Sequence, residues 1–295
     1  MRRLIAILAS LAATHSLAST PIDEAIDAAG ARTLDISNVA GRVSVSGGSG
    51  DEVRVTGTLS DAATGLEVRR DGSRIVVHVL YPQDNRGNWR DNEGTVLEIE
   101  APASLDVETR TVSASIILEG IEGEQELETV SGRIETDLFD TEIRARSVSG
   151  RIRINGRDES TRADIASVSG RVELDAVGGE IEAQTVSGSI DLVSGALERA
   201  ELKAVSGSIT VTASLSSDAR LRTTTTSGSI DLNLEGSPAG RYELSSFSGS
   251  IDSCIGPAPS RPQFGPPTSA LRFEEPDADM QVYANSMSGS IDLCR

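Results

Sequence analysis

From residue 112 onward the apolar positions recur in a fixed order. The phrase V-S-G-S-I and its variants start at Val112, Val130, Val148, Val168, Val186, Val205, Thr226, Phe247 and Met287. Successive copies begin 18 to 21 residues apart, with a final interval of 40. The fifth position is Ile or Val in every copy, and the seventh is mostly aliphatic (Leu118, Ile154, Leu174, Leu192, Val211, Leu232, Leu293). Alternation of this kind predicts a strand with one buried face. Positions one, three, five and seven share a parity, so Val, Gly, Ile and Leu are expected to face inward together. A second short strand precedes each phrase, as in Ile143/Ala145, Ala163/Ile165 and Ile181/Ala183. These pairs lie five and three places before the phrase, with parity opposite to its first residue. The chain is therefore expected to bend just before the phrase.

Self-similarity at about 20 residues marks a solenoid, in which each coil buries its core by stacking on its neighbours. The pattern predicts an all-β chain forming a right-handed β-solenoid with coils of about 18–21 residues. An antiparallel β meander or sandwich, with Ser-Gly as the hairpin loop, is the alternative. It would place Val130 on one face with Arg133, and Val148 with Arg151, against the apolar pattern. Stacked coils set equivalent residues about 4.8 Å apart, so every column of the alignment becomes a ladder.

The rest of the chain divides by composition. Residues 1–18 have the form of a signal peptide: Arg2 and Arg3, an apolar run from Leu4 to Ala13, and the small-x-small site Ser16-Leu17-Ala18. Residues 19–32 form an acidic stretch expected as a leader or short helix. Residues 33–111 read as an irregular N-terminal β section, with strands at Thr33–Ser37, Arg42–Ser46, Glu52–Leu59, Leu66–Arg70, Arg74–Tyr81 and Thr95–Glu100. Residues 112–295 are the repeat solenoid, interrupted by a Pro-rich insertion at 256–267. No transmembrane segment is expected in the mature chain, because ten apolar residues are too few to span a bilayer core of about 30 Å.

Charge narrows the partners. The 295 residues carry 27 basic and 45 acidic side chains, a net charge of −18. That field disfavours nucleic acid as a partner. It leaves a cell-surface or envelope protein, or a glycan, as candidates, and it does not define the oligomeric state.

Few residues point to chemistry. The serines of the phrase form a column of hydroxyls with no His or carboxylate at fixed spacing, so they read as structural rather than nucleophilic. Arg133, Arg151, Arg153 and Arg171 fall near Glu135 and Glu173, which suggests a mixed-charge grid. Asp191, Asp231, Asp252 and Asp292 occupy one outward column, a candidate cation ladder that Thr210 interrupts. Trp89, the only Trp, lies on a polar stretch and is a candidate binding loop. Cys254 and Cys294 fall at the same place in the repeat, so stacking would bring them within disulfide range. No catalytic set, metal site or cofactor motif is evident, and the reading is of a protein that is not an enzyme.

The signal sequence, the recurring V-S-G-S-I and the terminal Cys pair together resemble the bacterial putative-adhesin family of unknown function, across residues 33–295. The resemblance implies an exported, non-catalytic envelope protein of a Gram-negative-type bacterium, periplasmic or at the cell surface or secreted. Its role would be adhesin-like binding or a structural scaffold. A carbohydrate-active β-helix enzyme and a periplasmic envelope-stress-associated structural protein are the alternatives.

Overall fold

A computed structural model describes residues 20–82, 94–235, 239–261, 268–276 and 279–294. Residues 1–18, expected to be a signal peptide, lie outside the described residues, as do Trp89 and residues 262–267 of the Pro-rich insertion.

Each copy of the phrase is a corner between two short strands. The strand before it joins a leading ladder of parallel strands, among them Asp106–Thr111, Gln125–Thr129, Glu142–Ser147 and Ser160–Ser167. The strand after it joins a trailing ladder, with Ser115–Glu119, Ile134–Asp137, Ile152–Asn155 and Val172–Asp175. Further along, Ile190–Ala204 and Ile209–Thr225 each run through both ladders as one strand, their mutual pairing shifting register between Ser194 and Arg199. The register is one repeat per coil: Ile134 faces Ile116 and Ile152, and Ile143 faces Ala163. The result is a β-solenoid whose single core lies between the two ladders.

The inward columns are thin and aliphatic. Ile143 and Ala145 stack on Ala163 and Ile165, then on Ile181 and Ala183, so large and small side chains alternate up the stack. Opposite them stand Ile152 and Ile154, Val172 and Leu174, and Ile190 and Leu192, all 0–1% exposed. Alternation fills the layer without overpacking it.

One expectation fails at the corner. The first residue of the phrase points outward: Val130, Val148, Val168 and Val186 are each 46% exposed. Burial runs through the residue just before the phrase (Thr129, Ser147, Ser167, Thr185) and resumes at its Gly. The bend therefore falls inside the phrase, at Val-Ser, rather than before it. Carrying parity straight through a bend assigned Val to the wrong side.

The order of coils also departs from the order of sequence. The coil Gln281–Ser286/Ile291–Cys294 is not at the end of the stack. It pairs with Ile209–Thr225 and Ile230–Glu235 on one side, and with Arg241–Ser246 and Ile251–Ser253 on the other. The mirror arrangement holds at the other end. There Thr33–Asn38/Gly41–Gly48 lies between Asp106–Thr111/Ser115–Glu119 and the outer pair Arg74–Leu80/Thr95–Pro102.

Antiparallel strands cover both ends. Ser269–Glu274 pairs with Arg241–Ser246, Gly65–Asp71 with Arg74–Leu80, and Glu52–Leu59 with Thr95–Pro102. Covering an edge removes a template for uncontrolled strand pairing. The acidic stretch at 19–32 is neither a leader nor a helix over most of its length, since Thr20–Asp27 is a strand paired with Glu52–Leu59.

Candidate functional site

The outward turn of the phrase produces a surface that the fold itself does not require. Ten large apolar side chains are exposed among the described residues, and eight occupy the first position of the phrase. Such exposure is a column, not scatter. Val112, Val130, Val148, Val168, Val186 and Val205 follow one another at one-coil spacing. From Val130 to Val205 they line a groove of about 770 Å³ along the stack axis. Its other wall is the outward column two places before the phrase: Arg110, Glu128, Arg146, Ala166, Gln184 and Lys203.

Two sets of hydroxyls hold this corner in shape. Ser131 N–H donates to Val112 O (2.8 Å), Ser149 N–H to Val130 O (2.8 Å) and Ser187 N–H to Val168 O (2.8 Å). The serine side chains add to the same carbonyls, as Ser149 Oγ does to Val130 O at 3.3 Å. The phrase serines are thus structural. The second set, buried just before each phrase, is less conspicuous in the sequence because Ser and Thr interchange there. Gly132, Gly150, Gly170 and Gly188 each donate N–H to Thr129, Ser147, Ser167 or Thr185 at 2.8–3.0 Å. That bond spans three residues and satisfies a backbone donor that the bend removes from the ladder.

Glycine is required here for space. A Cβ on Gly150 would sit 1.7 Å from the carbonyl oxygen of Gly132, and one on Gly188 1.8 Å from that of Gly170. Neither glycine has a positive φ.

Beside the groove, the leading ladder carries an ion-pair lattice. Arg74 donates to Glu108 at 2.7 and 2.9 Å and approaches Asp35 at 3.2 Å. His78 Nε2 lies 3.3 Å from Asp35. On the trailing ladder Glu173 is surrounded by Arg153 (2.6 Å), Arg171 (3.6 Å) and Arg151 (3.8 Å), the mixed grid expected from the sequence. Burial works to raise the Glu173 pKa, but the Arg153 hydrogen bonds and the three guanidiniums outweigh it and hold the carboxyl below its usual range.

The candidate cation ladder is only partly assembled. The coil inversion sets Asp292 between Asp231 and Asp252, while Asp191 stands beyond Thr210. Burial and the Asp292 carboxylate push Asp231 above its ordinary range. No group of three metal-ligating side chains with metal-binding geometry occurs among the described residues.

The cysteines meet. Cys254 and Cys294 form a disulfide with a Cα–Cα distance of 5.0 Å, and Cys254 N–H donates to Leu293 O at 2.9 Å.

These features define a β-solenoid that carries outward columns and an apolar groove among the described residues. The chain belongs to the Toastrack DUF4097 family, whose model matches residues 12–234 and 179–293. Two solved structures resemble it across nearly their whole length. One, a putative adhesin from Bacteroides fragilis, is 13% identical with a TM-score of 0.50, covering 94% of this chain and 98% of that one. The other, a putative lipid binding protein from Parabacteroides distasonis, is 15% identical with a TM-score of 0.51, covering 93% and 97%. At these identities the likeness is one of fold. A comparison with curated proteins finds no match. No helix among the described residues is long and apolar enough to cross a membrane.

Proposed function

We propose that this chain is a non-catalytic, exported envelope protein that acts as an adhesin-like binding module, with the valine-lined groove as its contact surface. The exposed valine column carries this reading. Each valine leaves nearly half its surface in water, and covering one would contribute on the order of 0.7 kcal/mol, half the value for full burial. A contiguous exposed apolar strip of this kind marks an interaction site. The phrase hydroxyls are occupied in holding the corner, which supports binding over catalysis. The adhesin description of a protein with the same fold supports an envelope setting.

Val148, Val168 and Val186 replaced together by Thr keep their shape but lose their apolar character. Purified protein should co-sediment with isolated cell-envelope fractions, and the V148T/V168T/V186T variant should lose at least fivefold in that binding with an unchanged Tm. Equal binding by the variant, or none by the native protein, would overturn the reading.

A further inference from the structure

The groove has a defined length, a defined chemistry and a polar end. Its main-chain groups at the corner are already used, since each phrase Ser N–H is bonded to the carbonyl of the preceding coil's first residue. An incoming peptide strand would find no ladder to extend, which sets aside strand addition. The apolar strip is one residue wide, narrower than the broad stripe an amphipathic helix buries. A hydrocarbon chain needs neither backbone partners nor width.

Length agrees. From Val148 to Val205 the groove spans three coil steps, about 14 Å. Half of a bilayer core of about 30 Å, the reach of one acyl chain, is about 15 Å. Along this run the opposite wall is least polar at Ala166 and neutral at Gln184, and it becomes charged at the far end only at Lys203, whose ammonium is held by Glu201 at 2.8 Å.

Charge places the head group. Arg110, Glu128 and Arg146 stand on three consecutive coils at one end of the groove, with signs alternating along the stack. Their mutual contacts are loose: Arg110–Glu128 is 3.6 Å and Arg146–Glu128 is 3.5 Å. Arg110 also stands 3.6 Å from Glu108 and 3.8 Å from Asp35, and Arg146 3.6 Å from Asp164. These spacings leave guanidinium and carboxylate hydrogen-bonding capacity for a ligand. An alternating row complements a head group that carries both a phosphate and an ammonium. Arginine suits phosphate by its forked geometry, and Glu128 suits the ammonium. The net charge of −18 disfavours a purely anionic head.

Building on the groove as the contact surface, we infer that it binds a single-chain zwitterionic phospholipid. The acyl chain lies over Val148–Val205, and the phosphate and ammonium rest on Arg110, Glu128 and Arg146.

Native mass spectrometry and calorimetry of the disulfide-bonded protein with palmitoyl lysophosphatidylethanolamine, below its micelle concentration, test this. One molecule per chain should bind. V148T/V168T/V186T should weaken binding at least tenfold, and so should R110Q/R146Q, each with Tm unchanged. Glycerophosphoethanolamine, the head group alone, should not bind. Three results overturn the inference: no binding of the lysolipid, equal affinity for palmitate, or tighter binding of an amphipathic helical peptide that competes for the groove. Loss of envelope binding in the valine variant without any lysolipid binding would overturn the ligand while leaving the contact surface intact. Native behaviour of that variant in both assays would overturn both.

Discussion

At the scale of single residues the corner is governed by one absent atom and one buried hydroxyl. Gly150→Ala forces a methyl group against the carbonyl of Gly132, and both are backbone, so neither can rotate away. We expect a loss of about 3 kcal/mol or more in denaturant unfolding, the upper end for overpacking. Two carboxylates respond to pH in opposite directions. Asp231 is held above its ordinary pKa, so its ionised form costs stability at neutral pH, and that cost fades as pH falls through the folded value toward about 3.9. Glu173 is held below its ordinary pKa. Its contribution is therefore full above about 4.3 and is lost as pH falls through the folded value. Denaturant titrations between pH 7 and pH 3 should show D231N more stable than the native protein at pH 7, with the gap closing on acidification. E173Q should be less stable at pH 7, and its gap should also close.

At the scale of elements most strands were legible. The run Glu52–Leu59 matches its expected limits, and the strands at 33, 42, 66, 74 and 95 shift by only one or two residues. Alternation within a straight run is a local property, so the sequence displays it. The direction of Val130 and its equivalents was not legible, because parity loses its meaning at a bend and the bend lies within the phrase. The groove, the main candidate site, was hidden for the same reason. The Thr/Ser column before the phrase shows only as small polar residues at a fixed offset, and its role needs the bend to be seen. Cys254 and Cys294 were legible because repeat position alone defines their register. The strand Ser269–Glu274 went unread in the long final interval, yet it covers the outermost strand through buried Leu271 and half-buried Phe273, whose ring stacks on Tyr242 at 4.5 Å. Leu271→Asp should release this cover. Size-exclusion chromatography should then show concentration-dependent association through the exposed edge of Arg241–Ser246, while far-UV dichroism stays largely native.

At the scale of the whole molecule the two end coils depart from chain order. Nothing in the phrase encodes this, since Met287–Ile291 and Phe247–Ile251 satisfy the same rules and either could stack on Thr226–Ile230. The covers at the ends decide it, because each outermost coil is the one whose neighbouring segment can fold back antiparallel upon it. The disulfide bridges the inverted pair across a sequence separation of 40 residues. Closing a loop of that size contributes about 4 kcal/mol in the chain-entropy model. C254S/C294S should lower the unfolding free energy by about that amount. Hydrogen exchange should rise first in residues 241–253 and 281–294, and unchanged exchange there would show that packing alone holds the inversion.

The inverted order also constrains when the stack can be finished. Folding of a repeat array can advance coil by coil as a chain emerges. Here that advance halts at residue 235. The segment 241–253 is made next, but its neighbour in the stack, 281–294, is made later. Until then residues 241–253 lack their native neighbour, and the open face at 220–235 offers an unpaired template. The interval in which this chain is most exposed to mispairing therefore coincides with the synthesis of the sixty residues or so that follow residue 235, when a holding chaperone would have the most to protect.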